Sequence, residues 1–232
     1  GNNERPVARL AVLPVAAKAS VEQGLEAALE SALAHWLYHD EIWLRGNAKA
    51  KAEILLAIAR VRHALVLFGG IVPRKATTHL RALLNDADAV LLAADTADEA
   101  LFRTEVVGAK LALTEWLVQR GWRPFLNEAG EKKIAGSFKR FADIHLSRVA
   151  AELRSAVQHL AVEDAADQLP KLSRDIDSVQ LLAGAYGDAV APWLENWQEL
   201  QRAIEHDDRS VFEYFRRQAL AAEPFWLHSG KR

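Results

Sequence analysis

The chain has 232 residues, of which 50% are hydrophobic, with 29 Lys and Arg against 31 Asp and Glu and no Cys. This length is enough to bury one large core or two smaller ones. Because the charges nearly balance, a general positive field that would gather nucleic acid or a membrane surface is excluded, and any anion site must be a local cluster. The lack of Cys excludes disulfides, thiolate catalysis and thiolate metal ligands.

The N-terminal region has no signal of a membrane or secretory segment. No apolar run approaches the roughly 20 residues that a membrane-spanning helix needs, and the pattern of a signal peptide is missing. We therefore expect a cytoplasmic protein. Residues 1–19 contain Pro6 and Pro14 and lack helical periodicity, a pattern that predicts a linker following an upstream domain.

Helical patterns fill the rest of the chain. Ser20 and Gln23 have the spacing of a capping box, and the segment behind them runs to Gly46, a residue typical of helix ends. Seven more helices are predicted at 48–68, 76–94, 98–120, 136–160, 168–184, 190–206 and 209–222. The break at 121–136 divides the folded region 20–232 into halves at about 20–125 and 133–225. The predicted fold is all-α, with two antiparallel four-helix bundles.

Two predicted helices each carry a pair of ring side chains spaced four residues apart, so that the two rings of a pair share one helix face. Trp193 and Trp197 are predicted to pack into a core, as such pairs usually do. His35 and His39 have the spacing of two metal ligands, but no third ligand is evident, so no metal site is predicted. Neither a glycine-rich phosphate loop nor a recognisable catalytic motif occurs, and we expect no catalytic residues.

The helix at 48–68 carries Arg60, Arg62 and His63 although it is apolar on two sides, which predicts a central position. Glu53 is the only acidic residue of this helix. Buried cations there need either an acceptor from another helix or a bound anion, and the pattern favours internal pairing.

The next helix is predicted to begin with cations. Arg74 and Lys75 stand at its N-terminus, followed by His79 and Arg81. Helix N-termini repel cations and attract anions, so this arrangement makes sense if a phosphate docks among these side chains. A solvated surface turn is the alternative.

His145 lies in the apolar stripe of the helix at 136–160, and Arg148 follows one turn later. This pair can direct two donors at one phosphate group. The alternative is a core histidine beside an intrahelical ion pair between Arg148 and Glu152.

Several stretches carry a resemblance to a known family: 61–63, 67–76, 110–117, 137–148 and 223–232. They closely resemble CHAD domains, the conserved-histidine α-helical domains, and in particular the C-terminal domain of the enterobacterial CYTH/CHAD inorganic triphosphatases. The resemblance covers residues 20–232. It implies two four-helix bundles related by a pseudo-twofold axis, with a basic groove or pore that binds polyphosphate.

The resemblance also implies that catalysis and polyphosphate binding belong to different domains. Hydrolase activity and its divalent metal are expected in a CYTH domain upstream, whose Glu-x-Glu-x-Lys motif this chain lacks, so this region is expected to be non-catalytic and without a cofactor. Its expected partners are that CYTH domain and inorganic polyphosphate or a phosphorylated small anion, with no nucleic acid or membrane. The expected polyphosphate-binding residues are Arg60, Arg62, His63, Arg74, Lys75, His79, Arg81, His145 and Arg148.

One departure from the family pattern motivates an alternative function. Ala52 and Leu55 occupy the positions where the family's signature helix commonly begins with His and Arg. A structural or interaction domain that supports or oligomerises the CYTH domain is therefore the competing hypothesis.

Overall fold

The computed structural model describes residues 5–228, and this part of the chain contains no β-strand. The all-α fold class predicted from the sequence is confirmed. Short 3₁₀ segments connect several of the helices. Ten α-helices occur in the described residues: α1 Val21–Leu44, α2 Ala50–Leu67, α3 Arg74–Ala93, α4 Ala97–Ala100, α5 Thr104–Val118, α6 Glu128–Ala135, α7 Phe138–Val157, α8 Leu169–Leu182, α9 Val190–Glu205 and α10 Arg209–Ala221.

Local hydrogen bonds set the start of α1. The Ser20 hydroxyl accepts a hydrogen bond from the Gln23 amide at 3.1 Å, and the Gln23 side chain accepts one from the Ser20 amide at 2.9 Å. The predicted capping box is confirmed. Beyond the end of α1, Gly46 has a φ of 103°, a left-handed conformation that glycine adopts without strain.

The prediction missed one break in the helical pattern and one helix. The helix expected at 98–120 is divided, because the short α4 ends before α5 begins at Thr104. The polar run assigned to the break at 121–136 instead forms α6. Asn127 caps this helix by accepting a hydrogen bond from the Gly130 amide at 2.8 Å, and its acidic first turn and basic last turn complement the helix dipole.

The first compact unit comprises residues 5–11 and 20–136. Within it α1 packs on α2, and α3 packs on α5. Trp36 is fully buried in its core. The carboxylate of Glu22 accepts hydrogen bonds from the Trp122 indole N–H at 2.8 Å and from Arg123, which ties the segment after α5 to the first turn of α1.

The second compact unit comprises residues 12–19 and 137–228. Within it α7 packs on α8, and α9 packs on α10. Trp193 and Trp197 are 4% and 1% exposed, and their ring centroids lie 5.7 Å apart. The predicted core role of this pair is confirmed.

Residues 5–19 make specific contacts that the interpretation as a linker did not anticipate. Residues 5–11 belong to the first unit, where the Ala11 carbonyl accepts a hydrogen bond from Arg60 at 3.1 Å. Residues 12–19 belong to the second unit, where the Leu13 amide donates to the Gln180 carbonyl at 2.9 Å. These contacts join residues far apart in sequence, so local periodicity carries no sign of them.

None of the helices in residues 5–228 combines the length and apolar character required to cross a membrane.

Candidate anion site at the start of α3

The N-terminus of α3 lacks a side-chain cap. The N-cap residue is Pro73, whose ring offers no acceptor, and the first turn contains no acidic residue. No side chain caps the first N–H groups of α3, which lie at the positive end of the helix dipole, although the Ala76 amide donates to the Pro73 carbonyl at 2.9 Å. The helix starts at Arg74, two residues before the predicted boundary, so Arg74 and Lys75 lie in its first turn.

Arg81 folds back toward this end of α3. Its guanidinium donates to the Arg74 carbonyl at 3.1 Å, and its Nε donates to the Thr77 hydroxyl at 3.0 Å. A third cation therefore lies beside the first turn although it comes from the second. The hydrogen bonds restrict the Arg81 side chain, which reduces the entropy cost of using it to hold an anion.

Lys75 and His79 lie one turn apart on α3, and both are exposed. Within residues 5–228, no carboxylate forms an ion pair with Arg74, Lys75, His79 or Arg81. The predicted cluster at the start of α3 is thus brought together. Together these residues place positive charge and hydrogen-bond donors on the first two turns of α3.

The cations of α2 lie in different environments. Arg60 is 2% exposed, and it donates to the Ala11 carbonyl at 3.1 Å and the Ser31 hydroxyl at 3.3 Å. Both acceptors belong to other segments of the protein, in line with the internal pairing that the sequence pattern favours, and a role of Arg60 in anion binding stays a prediction.

Arg62 and His63 are half-buried on the same helix. Arg62 donates to the Asn85 side chain at 2.8 Å and lies 3.8 Å from the Asp88 carboxylate, both on α3. The charge of Arg62 is therefore partly compensated within the protein.

His145 and Arg148 contact each other on α7. Arg148 donates to His145 Nδ1 at 3.1 Å, so this nitrogen must be an acceptor, since arginine has no lone pair to offer. Burial and the nearby Arg148 charge lower the pKa of His145. Arg148 also lies 3.4 Å from Glu152, which confirms the predicted intrahelical ion pair. Arg148 has further N–H donors beyond these two contacts, so the role of the pair in anion binding stays a prediction.

The sequence matches the profile of a known protein family. The family profile of the CHAD domain matches residues 27–217. The chain belongs to the CHAD domain family.

A solved structure shares the fold of this CHAD domain. The crystal structure of the CHAD domain from the plant Ricinus communis matches with a TM-score of 0.64, covering 99% of this chain and 90% of that chain at 17% sequence identity. At this identity the likeness shows a common helical fold.

Sequence reasoning missed a cluster of potential metal ligands in this CHAD domain. His35 and His39 on α1 are joined by Glu53 from α2, and the possible ligand atoms of the three residues all lie within 4.8 Å of one another. Glu53 stands 18 residues from His35, and their contact at 2.9 Å depends on the packing of α1 against α2. No local pattern identifies this third residue.

A buried ion pair lies next to this cluster. Lys110 on α5 donates to the Asp40 carboxylate at 2.6 Å. Burial raises the pKa of Asp40, although the hydrogen bond and the charge of Lys110 oppose this shift. The pair is shielded from solvent on both sides, with side-chain exposures of 19% and 11% for Lys110 and Asp40.

Proposed function

We propose that this CHAD domain is a non-catalytic module that binds inorganic polyphosphate or a related phosphate anion at the start of α3. The observation that carries the proposal is the gathering of Arg74, Lys75 and Arg81 at a helix N-terminus without a side-chain cap. Cations at this end are unfavourable for the helix alone. A bound phosphate is attracted both to the cations and to the helix N-terminus, and it makes the arrangement favourable.

Three features support a polyanion as the ligand. The charges are separated along the first two turns of α3, so neighbouring phosphate groups of one chain can contact different side chains. Arg81 offers a planar guanidinium, and Lys75 offers a mobile ammonium. His79 and Thr78 add polar groups on the same turns, and both are exposed.

The accessory role belongs to the same proposal. The stretches that resemble the CYTH/CHAD inorganic triphosphatases support a place beside a CYTH catalytic domain that would hold the divalent metal and perform the hydrolysis. In that arrangement the CHAD domain binds the polyanionic substrate or product, and the chemistry takes place elsewhere.

Calorimetric titration with long-chain polyphosphate tests the proposal. The charge-removing variant Arg74→Ala/Lys75→Ala is compared with Lys132→Ala/Lys133→Ala, which removes the same charge from exposed positions on α6. We expect at least about tenfold weaker binding for the first variant and less than about twofold for the second.

Salt dependence provides an independent measurement. If two phosphate contacts are lost, the slope of log K against log salt concentration should become shallower by about 1.4. Undetectable binding by the unaltered chain, or equal losses in the two double variants, would refute the anion site.

A second candidate function is a structural or interaction domain that supports or oligomerises a neighbouring catalytic domain. It is favoured by α5, on which Val107, Leu111 and Val118 are 38%, 60% and 77% exposed on one face. Apolar residues grouped in this way are typical of interaction surfaces. Sedimentation of the chain and of Leu111→Glu separates the two functions, because self-association that Leu111→Glu abolishes supports this candidate and leaves the α3 site unaffected.

A further inference from the structure

The cluster of His35, His39 and Glu53 has the composition of a transition-metal site. Two imidazoles at i and i+4 on one helix and a carboxylate from the neighbouring helix form a ligand set used for zinc, with a fourth position left for water. The side chains of His35 and Glu53 are 9% and 13% exposed, and His39 is fully buried. A cation held there would be largely removed from competing water.

The hydrogen bonds of His39 determine which of its nitrogens can bind a metal. Nδ1 lies 2.7 Å from the His35 carbonyl, which can only accept, so Nδ1 carries the proton. Nε2 therefore holds the lone pair, and it accepts a hydrogen bond from the Ala8 amide at 3.1 Å. A histidine whose Nδ1–H is held by a carbonyl while Nε2 keeps its lone pair has the tautomer that is usual for a metal ligand.

His35 and Glu53 supply the other two ligand atoms. His35 Nε2 lies 2.9 Å from Glu53 Oε1, so the two atoms already point at the same small volume. Binding a metal through His35 Nε2 requires any proton on that nitrogen to move to Nδ1 or to leave the site. The carboxylate of Glu53 offsets one positive charge of a divalent cation.

We propose that His35 Nε2, His39 Nε2 and Glu53 form a site for a divalent transition-metal cation of the Zn²⁺ class, which takes the place of the Ala8 amide at His39. Ligand atoms of a tetrahedral zinc lie about 3.3 Å apart. The present separations of up to 4.8 Å need a modest contraction through side-chain rotation. The lost hydrogen bond is a single one between neutral groups.

The site couples metal binding to the N-terminal segment. Residues 5–8 are held on α1 by the Ala8 hydrogen bond, by the Tyr38 hydroxyl donating to the Pro6 carbonyl at 2.8 Å, and by Arg5 at 3.1 Å from Glu41. Occupation of His39 by a metal removes the innermost of these contacts. A bound metal and the Ala8 amide therefore compete for the lone pair of His39 Nε2.

Titration of the chelator-treated, full chain with Co²⁺ tests the proposal, because cobalt in a tetrahedral site absorbs visible light much more strongly than hydrated cobalt. We expect one cobalt per chain, displacement by zinc, and affinity losses of more than about tenfold in Glu53→Gln and His39→Gln. Glu53→Gln retains a hydrogen-bond acceptor for His35, so it keeps the fold while removing the charge. His206→Gln, an exposed histidine, is the matched control.

A second measurement detects the coupling between metal binding and the N-terminal segment in the unaltered chain. The amide resonance of Ala8 should shift on zinc addition as its hydrogen bond to His39 is lost. The proposal is overturned if cobalt gives no tetrahedral spectrum, if His206→Gln weakens binding as much as Glu53→Gln, or if the Ala8 amide does not respond to bound zinc. None of these measurements involves an anion, so they are independent of the polyphosphate proposal.

Discussion

A Cβ atom placed on Gly184 would lie 1.9 Å from the carbonyl oxygen of Leu13, far inside van der Waals contact. The obstacle is backbone, so it cannot rotate away as a side chain can. The Leu13 amide also donates to the Gln180 carbonyl at 2.9 Å, which fixes this segment against the end of α8. Glycine at position 184 is therefore required by the close approach of two backbone segments.

Replacement of Gly184 by Ala should force these segments apart. We expect Gly184→Ala to lower the free energy of unfolding by about 1–3 kcal/mol, as overpacking does in cores. The matched control is Gly108→Ala on α5, where an added Cβ meets nothing within 4 Å and should stabilise the helix by up to about 1 kcal/mol. Urea unfolding measures both, and equal effects would contradict the role of the Leu13 contact.

The buried carboxylate of Glu22 should contribute to stability through its donors. Burial acts to raise the pKa of Glu22, but hydrogen bonds from Arg123 and Trp122 hold that pKa below its usual value. Glu22→Gln removes the negative charge from both donors and leaves one of them facing an NH₂ group without an acceptor, which should cost about 1–3 kcal/mol. The exposed Glu30 on α1 provides the control Glu30→Gln, which should change the urea midpoint little. A comparable loss in both variants would show that helix charge alone is responsible.

Arg60 should affect stability rather than anion affinity. Arg60→Met preserves most of the buried stem but leaves the Ala11 carbonyl without this donor, so we expect a loss of about 1–3 kcal/mol in unfolding free energy. Arg62→Met, at a half-buried position 3.8 Å from Asp88, should cost less than about 1 kcal/mol. Calorimetry should show polyphosphate affinity of Arg60→Met within about twofold of the unaltered chain. A tenfold loss in a folded variant would return Arg60 to the anion site.

His145 should make the stability of the chain depend on pH. Its pKa in the folded chain is lowered from 6.5 by burial and by Arg148, so the unfolded chain takes up a proton at a higher pH than the folded chain. Stability should therefore fall as pH decreases below about 6.5 toward the folded pKa. His145→Asn keeps an acceptor for Arg148 but does not titrate, and it should reduce this loss.

Urea midpoints at about pH 8 and pH 5.5 measure that change, with the exposed His206→Asn as control. The interpretation fails if the difference between His145→Asn and the unaltered chain is the same at both pH values.

The sequence by itself determined the features that depend on neighbouring residues. The capping box at Ser20 and the start of α3 with Arg74 and Lys75 follow from side chains within four positions of one another, and the interactions there are local hydrogen bonds and the helix dipole. The burial of Trp193 and Trp197 follows from apolar periodicity. In each case the relevant partner lies on the same turn or the next.

Only the tertiary structure decided the contacts between distant segments. Arg60 binds the carbonyl of Ala11, 49 residues away, and Glu53 reaches His35 only because α1 and α2 pack side by side. Such contacts depend on which helix faces pack together and on the axial position of one helix relative to the other. Side chains throughout the core determine both. For this reason the sequence indicated only two possible metal ligands, His35 and His39, whereas helix packing brings Glu53 to them as a possible third.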